Sequence, residues 1–185
     1  MEFKDTTLTF EGDKIVAGDD YHNMEVMMSW EAPIMERSAE YICESKGDIL
    51  EIGFGMGICA DYIQAQGVNS HTIVEIHPQI IEKLKVWANG KPNVTIVEGD
   101  WSSVSLSTYD GIFLDTFGDN NLDKFKDFVS SKSKSGAKVT YWNNYGREDN
   151  QHSFSSISHE VISIAPESNQ YTKIKDGYYM PKVAI

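Results

Sequence analysis

The chain is poor in cysteine, poor in basic residues, and free of long apolar runs. Its two cysteines, Cys43 and Cys59, are too few for a disulfide framework and lack the spacing of metal ligands. They read as reduced core thiols, and no metal is expected. Lysine and arginine total 16 against 28 acidic residues, a formal charge of −12 that repels a phosphate backbone and leaves no basic stripe to track one. Nucleic acid is therefore not an expected partner. No stretch approaches the length of a membrane span, and Met1–Thr6 lacks the basic start and apolar run of a leader. A cytoplasmic protein without a membrane partner is expected. Repeats, low-complexity tracts and linkers are also missing, so 185 residues at 41% hydrophobic content read as one domain, 1–185. Trp87 and the C-terminal segments suit core or interface equally, so no oligomeric state follows.

What is present is concentrated first in residues 48–57, Asp-Ile-Leu-Glu-Ile-Gly-Phe-Gly-Met-Gly. Ile49, Leu50 and Ile52 suit a strand buried on both faces. Gly53, Gly55 and Gly57 then let the chain turn sharply, so that a nucleotide cofactor lies against bare backbone at a helix N-terminus. A dinucleotide fingerprint requires its third glycine at position 58, which is Ile58, and this weakens a nicotinamide or flavin reading. With Glu51 just ahead of it, the loop resembles motif I of class I S-adenosylmethionine-dependent methyltransferases.

Downstream, apolar strands alternate with helices. Ile58 to Gln66 predicts a helix stopped by Gly67, His71 to Glu75 a strand, and Pro78 to about Gly90 a helix. Further strands are expected at Val94–Val97, Gly111–Leu114 and Ala137–Trp142, with a helix at Leu122–Val129. The pattern predicts an α/β fold built on a doubly wound, mostly parallel sheet. Asn143–Ile157 reads as a polar loop, and His159–Ile164 with Tyr178–Ala184 as an antiparallel hairpin at the sheet edge. Ahead of the sheet, Asp20–Glu44 has a helical pattern restarted near Ala32 by Pro33.

Ligands of such sheets lie beyond the carboxyl ends of the strands. Glu75 ends the second expected strand, where a carboxylate either accepts both ribose hydroxyls of an adenosine or sits in solvent at the head of the Pro78 helix; the glycine loop upstream favours the ribose. Asp100 suits the exocyclic amine of adenine, and Trp101 either packs on the ring or belongs to the core. Asp115 emerges at the end of Gly-Ile-Phe-Leu-Asp, near the methyl donor or as a cap for the turn Thr116–Asn121. Glu31 lies among Met27, Met28, Trp30 and Met35, where a carboxylate is costly unless exposed, protonated or paired with a cation. Its plain alternative is an exposed first-turn glutamate of the Pro33 helix.

Taken together, several segments resemble the guanidinoacetate N-methyltransferases and the related fungal protein-arginine δ-N-methyltransferases. They are Val26-Met27-Met28-Ser29-Trp30-Glu31-Ala32-Pro33-Ile34-Met35-Glu36-Arg37, Leu50 to Gly57, Val74-Glu75-Ile76-His77-Pro78, Lys91 to Val94, Glu98-Gly99-Asp100-Trp101 and Tyr109 to Phe117. The resemblance implies a seven-stranded Rossmann-like core over 46–185 and an N-terminal helical lid or substrate segment over 1–45. It implies that Glu31 and Asp115 grip a substrate guanidino group. It also places Met27, Met35, Phe54, Gly55, Met56 and Gly57 around S-adenosylmethionine, together with Glu75, Ile76 and Trp101.

The expected activity is S-adenosylmethionine-dependent N-methylation of a guanidino nitrogen, with Asp115 as proton acceptor and Glu31 as orienting counter-ion. A small acceptor such as guanidinoacetate is expected, since no docking domain is evident; protein arginine or another amine are the alternatives. Two departures bear on the acceptor. Phe117 stands where guanidinoacetate enzymes carry tyrosine, and Val139–Gly146 is shorter than the loop that binds guanidinoacetate's carboxylate. The F-G-M-G, H-P and D-T-F features lean toward the δ-N-methyltransferase branch.

Overall fold

The structure is a computed structural model that describes residues 2–164 and 177–185. Its centre is a seven-stranded sheet in the order β6-β5-β4-β7-β8-β10-β9. The strands are β4 (Asp48–Ile52), β5 (Ser70–Glu75), β6 (Val94–Glu98), β7 (Tyr109–Leu114), β8 (Ser133–Tyr141), β9 (Ile157–Ile162) and β10 (Tyr178–Ala184). The first five in spatial order pair in parallel, whereas β10 runs antiparallel to both β8 and β9. The expected doubly wound sheet and edge hairpin are both present. Ile49, Leu50, Glu51 and Ile52 are all buried, as a central parallel strand covered on both faces requires.

Helices α1 (Ala32–Ile42), α2 (Ile58–Ala65), α3 (Pro78–Ala88) and α4 (Phe125–Lys132) cover the sheet. In α1, Ile34, Met35, Ser38, Ala39, Tyr41 and Ile42 form the buried stripe. All of these but Ser38 join Ile49, Cys59, Ile63, Phe113 and Met180 in one cluster; Phe125 and Val129 of α4 join Leu50, Ile112, Leu114 and Tyr141 in another. Among the described residues no helix is long and apolar enough to cross a membrane.

The N-terminal region departs from the expected helical segment. Before α1 it forms a three-stranded antiparallel sheet of β1 (Leu8–Glu11), β2 (Lys14–Ala17) and β3 (Glu25–Met28). A helix from Asp20 is blocked because His22 and Asn23 adopt left-handed backbone, with φ of 53° and 52°. Pairing of Ile15 with Met27 and Lys14 with Met28 then overrides the helical preference of the methionines. Only Ala32–Ile42 is α-helical, starting where the sequence placed the restart. The sheet packs Leu8, Ile15 and Ala17 against Ile80 and Leu84 of α3, and so lies over the cofactor edge.

Candidate active site

Strand order reverses between β4 and β7, since β4 continues to β5 on one side while β7 lies on the other. A cavity of about 410 Å³ opens beyond the carboxyl ends of these strands, as the topology of an open α/β sheet dictates. Its floor is the glycine loop. A Cβ at Gly53 would lie 1.9 Å from the Asp115 carbonyl oxygen, and the residue holds φ at 91°, so only glycine lets the β4 and β7 ends approach this closely. At Gly55 a Cβ would lie 2.3 Å from Met27 Sδ, which also accepts the Met56 N–H at 3.1 Å. β3 thus pins the loop from above.

Glu75 is buried and reaches back over the loop: its Oε2 accepts the Phe54 N–H at 2.9 Å, and its Oε1 those of Ile76 and His77 at 2.8 Å each. Burial raises its pKa, partly offset by those N–H groups. Those N–H groups, with that of Gly55, fix the carboxylate on the cavity wall. The solvated helix-cap alternative fails, because the cap of α3 is His77, whose Nδ1 accepts the Gln79 N–H at 3.2 Å.

Trp101 belongs to the core and also reaches the cavity. It is 4% exposed, packs edge-on against Phe125 and Phe128, and still lines the cavity. Its Nε1–H donates to Asp119 Oδ2 at 2.7 Å. Asp100 lines the cavity too, held by the Ser102 N–H at 2.8 Å and the Asn121 side-chain amide at 2.9 Å.

Asp115 is anchored by its N–H to the Ile52 carbonyl at 2.9 Å, and its half-buried side chain opens to the cavity. Burial, reinforced by the charges of Glu51 and Glu75, lifts its pKa from 3.8 to about 7. The turn-capping alternative belongs instead to Asp119, which accepts from Thr116 Oγ1 at 2.9 Å and the Asn121 N–H at 2.7 Å. Glu31 is 3% exposed, so the reading as an exposed first-turn glutamate does not hold. Its Oε1 accepts the Met28 N–H at 2.9 Å, and burial followed by the charge of Asp115 raises its pKa well above the usual carboxylate range. The charge of Asp115 is thus felt at Glu31, and a cation bound between the two carboxyl groups would let both ionise.

Of the sequence-predicted residues, Met27, Met35, Gly53, Phe54, Gly55, Glu75, Ile76, Asp100, Trp101 and Asp115 line the cavity. Glu31, Met56 and Gly57 do not line it themselves; Gly57 caps α2 with φ of 79°. Sequence reasoning missed Asp119 and also Phe3, which the N-terminal fold brings against Phe117 and His77. No periodicity or motif marks either residue. Glu51, read only as part of the loop motif, proves to be a buried carboxylate on the cavity wall.

Residues 17–147 match the family model described as guanidinoacetate N-methyltransferase. The chain belongs to this family. The residues of the cavity suit S-adenosylmethionine as cofactor: a backbone cradle at the glycine loop that a Cβ would fill, and a buried carboxylate, Glu75, on the cavity wall. The curated relatives it resembles include the protein arginine N-methyltransferase 2 of Aspergillus fumigatus, 37% identical over 139 residues (70% of this chain, 32% of that protein). That of Saccharomyces cerevisiae is 32% identical over 159 residues, 77% of this chain and 38% of that protein. The chain thus spans about a third of the length of these relatives. In fold it is similar to the spermidine synthase of Thermotoga maritima (TM-score 0.64, 12% identity, 96% of this chain and 71% of that one). It is also similar to the N-methyltransferase NodS of Bradyrhizobium japonicum in complex with S-adenosyl-L-homocysteine (TM-score 0.64, 11% identity, 84% and 87% covered).

Proposed function

We propose that the chain is an S-adenosylmethionine-dependent N-methyltransferase acting on a guanidino nitrogen, with a small cytoplasmic guanidine such as guanidinoacetate as acceptor. The observation that carries this reading is the pair Glu31 and Asp115, two carboxyl groups with raised proton affinity, Asp115 at the topological switch point and Glu31 near enough to feel its charge. A protonated guanidinium is the planar cation that such a pair clamps, through paired N–H···O contacts.

S-adenosylmethionine supplies an electrophilic methyl group on a positively charged sulfur. The protein's part is to orient one guanidino nitrogen in line with the S–C bond and to take its proton. Asp115, which opens to the cavity, is the acceptor. The N–C bond formed would be matched by the S–C bond broken, its electron pair staying on sulfur, and Asp115 would take the proton shed by the nitrogen. Glu31, held by the Met28 N–H, keeps the remaining charge of the guanidinium in place. In this reading Glu75 holds the ribose, Asp100 and Trp101 the adenine, and Met27, Met35 and the glycine loop the methionine end of the cofactor. A protein arginine is the second reading, favoured by the names of the relatives at 37% and 32% identity.

Calorimetry tests the pair. In the presence of S-adenosylhomocysteine, guanidinoacetate should bind the wild type and fail to bind Glu31→Gln, while both proteins bind S-adenosylhomocysteine alike. Equal binding of guanidinoacetate by both would remove Glu31 from the site.

A further inference from the structure

Beneath the cavity lies a buried pair that the transfer step does not use directly. His71, on β5, is 0% exposed, and its Nε2 lies 2.9 Å from Glu51 Oε2 on β4; Glu51 is 1% exposed. On the other side of the ring, His71 Nδ1 meets the Gln64 side-chain amide of α2 at 3.2 Å. With Gln64 presenting its amide nitrogen, Nδ1 is the acceptor and Nε2 carries the proton donated to Glu51. The second carboxylate oxygen, Oε1, is buried without a hydrogen-bond partner among the described residues, although Glu51 lines the cavity.

Such a pair is a poor stabilising device. Two polar groups removed from water, one with an unmatched oxygen, are generally no better than apolar residues of the same volume. Its position supplies another use. We propose that His71 is a positioning residue of this active site: it holds the Glu51 carboxylate ionised against the cavity, and through that fixed charge governs how readily Asp115 takes up the proton shed during transfer.

The surroundings fit this role. Facing Glu51 are Cys43 just after α1, Cys59 and Asp61 of α2, Glu75 and His71 of β5, and Asp115 after β7. Of these, His71 makes the hydrogen bond that favours the ionised form of Glu51, while burial and the neighbouring carboxylates oppose it. The charge of Glu51 follows burial as the largest influence on Asp115. Loss of the His71 donor therefore neutralises Glu51, and Asp115 gives up its proton at lower pH.

The inference rests on Asp115 as the proton acceptor, yet it can be tested without turnover. The carboxyl carbon of Asp115 is titrated by ¹³C NMR in aspartate-labelled, ligand-free protein, and assigned by its absence in Asp115→Asn. The midpoint should fall by about one unit in both His71→Leu and Glu51→Gln. It should stay in place in His71→Gln, whose amide keeps a donor. The acid limb of kcat/KM should move with it. An unchanged midpoint in Glu51→Gln, which conserves shape and tests the link even if His71→Leu fails to fold, would overturn the proposal. Loss of activity at every pH without a moved midpoint would also overturn it, by making the pair merely structural. Absence of turnover on any guanidine would overturn the proposed function and leave the NMR result standing.

Discussion

Replacing Asp115 by asparagine should make the protein more stable and inactive, and the gain should depend on pH. In the folded chain the carboxyl has a pKa of about 7, against an ordinary 3.8. Below about pH 4 the group is protonated whether the chain is folded or not, and it costs folding nothing. Between about 4 and 7 the unfolded chain ionises first, so stability is lost as pH rises, and above 7 the loss is complete. Three pK units correspond to about 4 kcal/mol; solvent entering the cavity screens this to roughly 2 kcal/mol. The neutral amide of the variant carries no such penalty. Thermal unfolding followed by circular dichroism should therefore give Asp115→Asn a Tm about 4–8 °C above wild type at pH 8, and nearly equal values at pH 4. S-adenosylhomocysteine binding should persist. A pH-independent Tm difference, or a variant less stable at pH 8, would refute the raised proton affinity from which the role of Asp115 is argued.

Other outcomes follow from the same geometry. Glu31→Gln should lower kcat on a guanidino substrate by about 10²-fold or more while leaving the Kd for S-adenosylhomocysteine within about threefold, read by calorimetry. Gly53→Ala forces a Cβ to within 1.9 Å of the Asp115 carbonyl and an unfavourable φ of 91°; it should cost about 1–3 kcal/mol in urea unfolding and abolish S-adenosylhomocysteine binding. Trp101→Phe keeps the packing against Phe125 and Phe128 but loses the 2.7 Å hydrogen bond to Asp119; it should weaken cofactor binding by about tenfold, and an unchanged Kd would remove the indole from the adenine site. In wild type, kcat/KM should rise with pH through an acid limb near 7, where Asp115 becomes able to accept a proton.

The parallel core was legible because its signals are local and redundant. Ile49, Leu50 and Ile52 are continuous and apolar, glycines follow at once, and Gly67 and Pro78 punctuate the helices, so pattern and topology agree. The N-terminal sheet was not legible. Its strands are four residues long and β1 buries a single side chain, Leu8, so there is little alternation to read. The methionines of β3 prefer helix until β2 pairs with them. Side-chain roles divided in a similar way. Strand ends announced Glu75 and Asp115, but the cap of α3 went to His77 and the turn after β7 to Asp119, because which polar neighbour captures a free N–H depends on loop geometry. Glu31 sits in the short turn between β3 and α1, where no periodicity marks its burial.

The central claim is tested most directly by mass spectrometry of reactions with S-adenosylmethionine and, in turn, guanidinoacetate, free arginine, an arginine-containing peptide and agmatine. The account predicts one added methyl on a guanidino nitrogen, matched by an equal amount of S-adenosylhomocysteine, with methylated guanidinoacetate among the products and nothing from Asp115→Asn. No methylated guanidine from any of the four, in a protein that still binds S-adenosylhomocysteine, would contradict it and assign the paired carboxylates to a different acceptor.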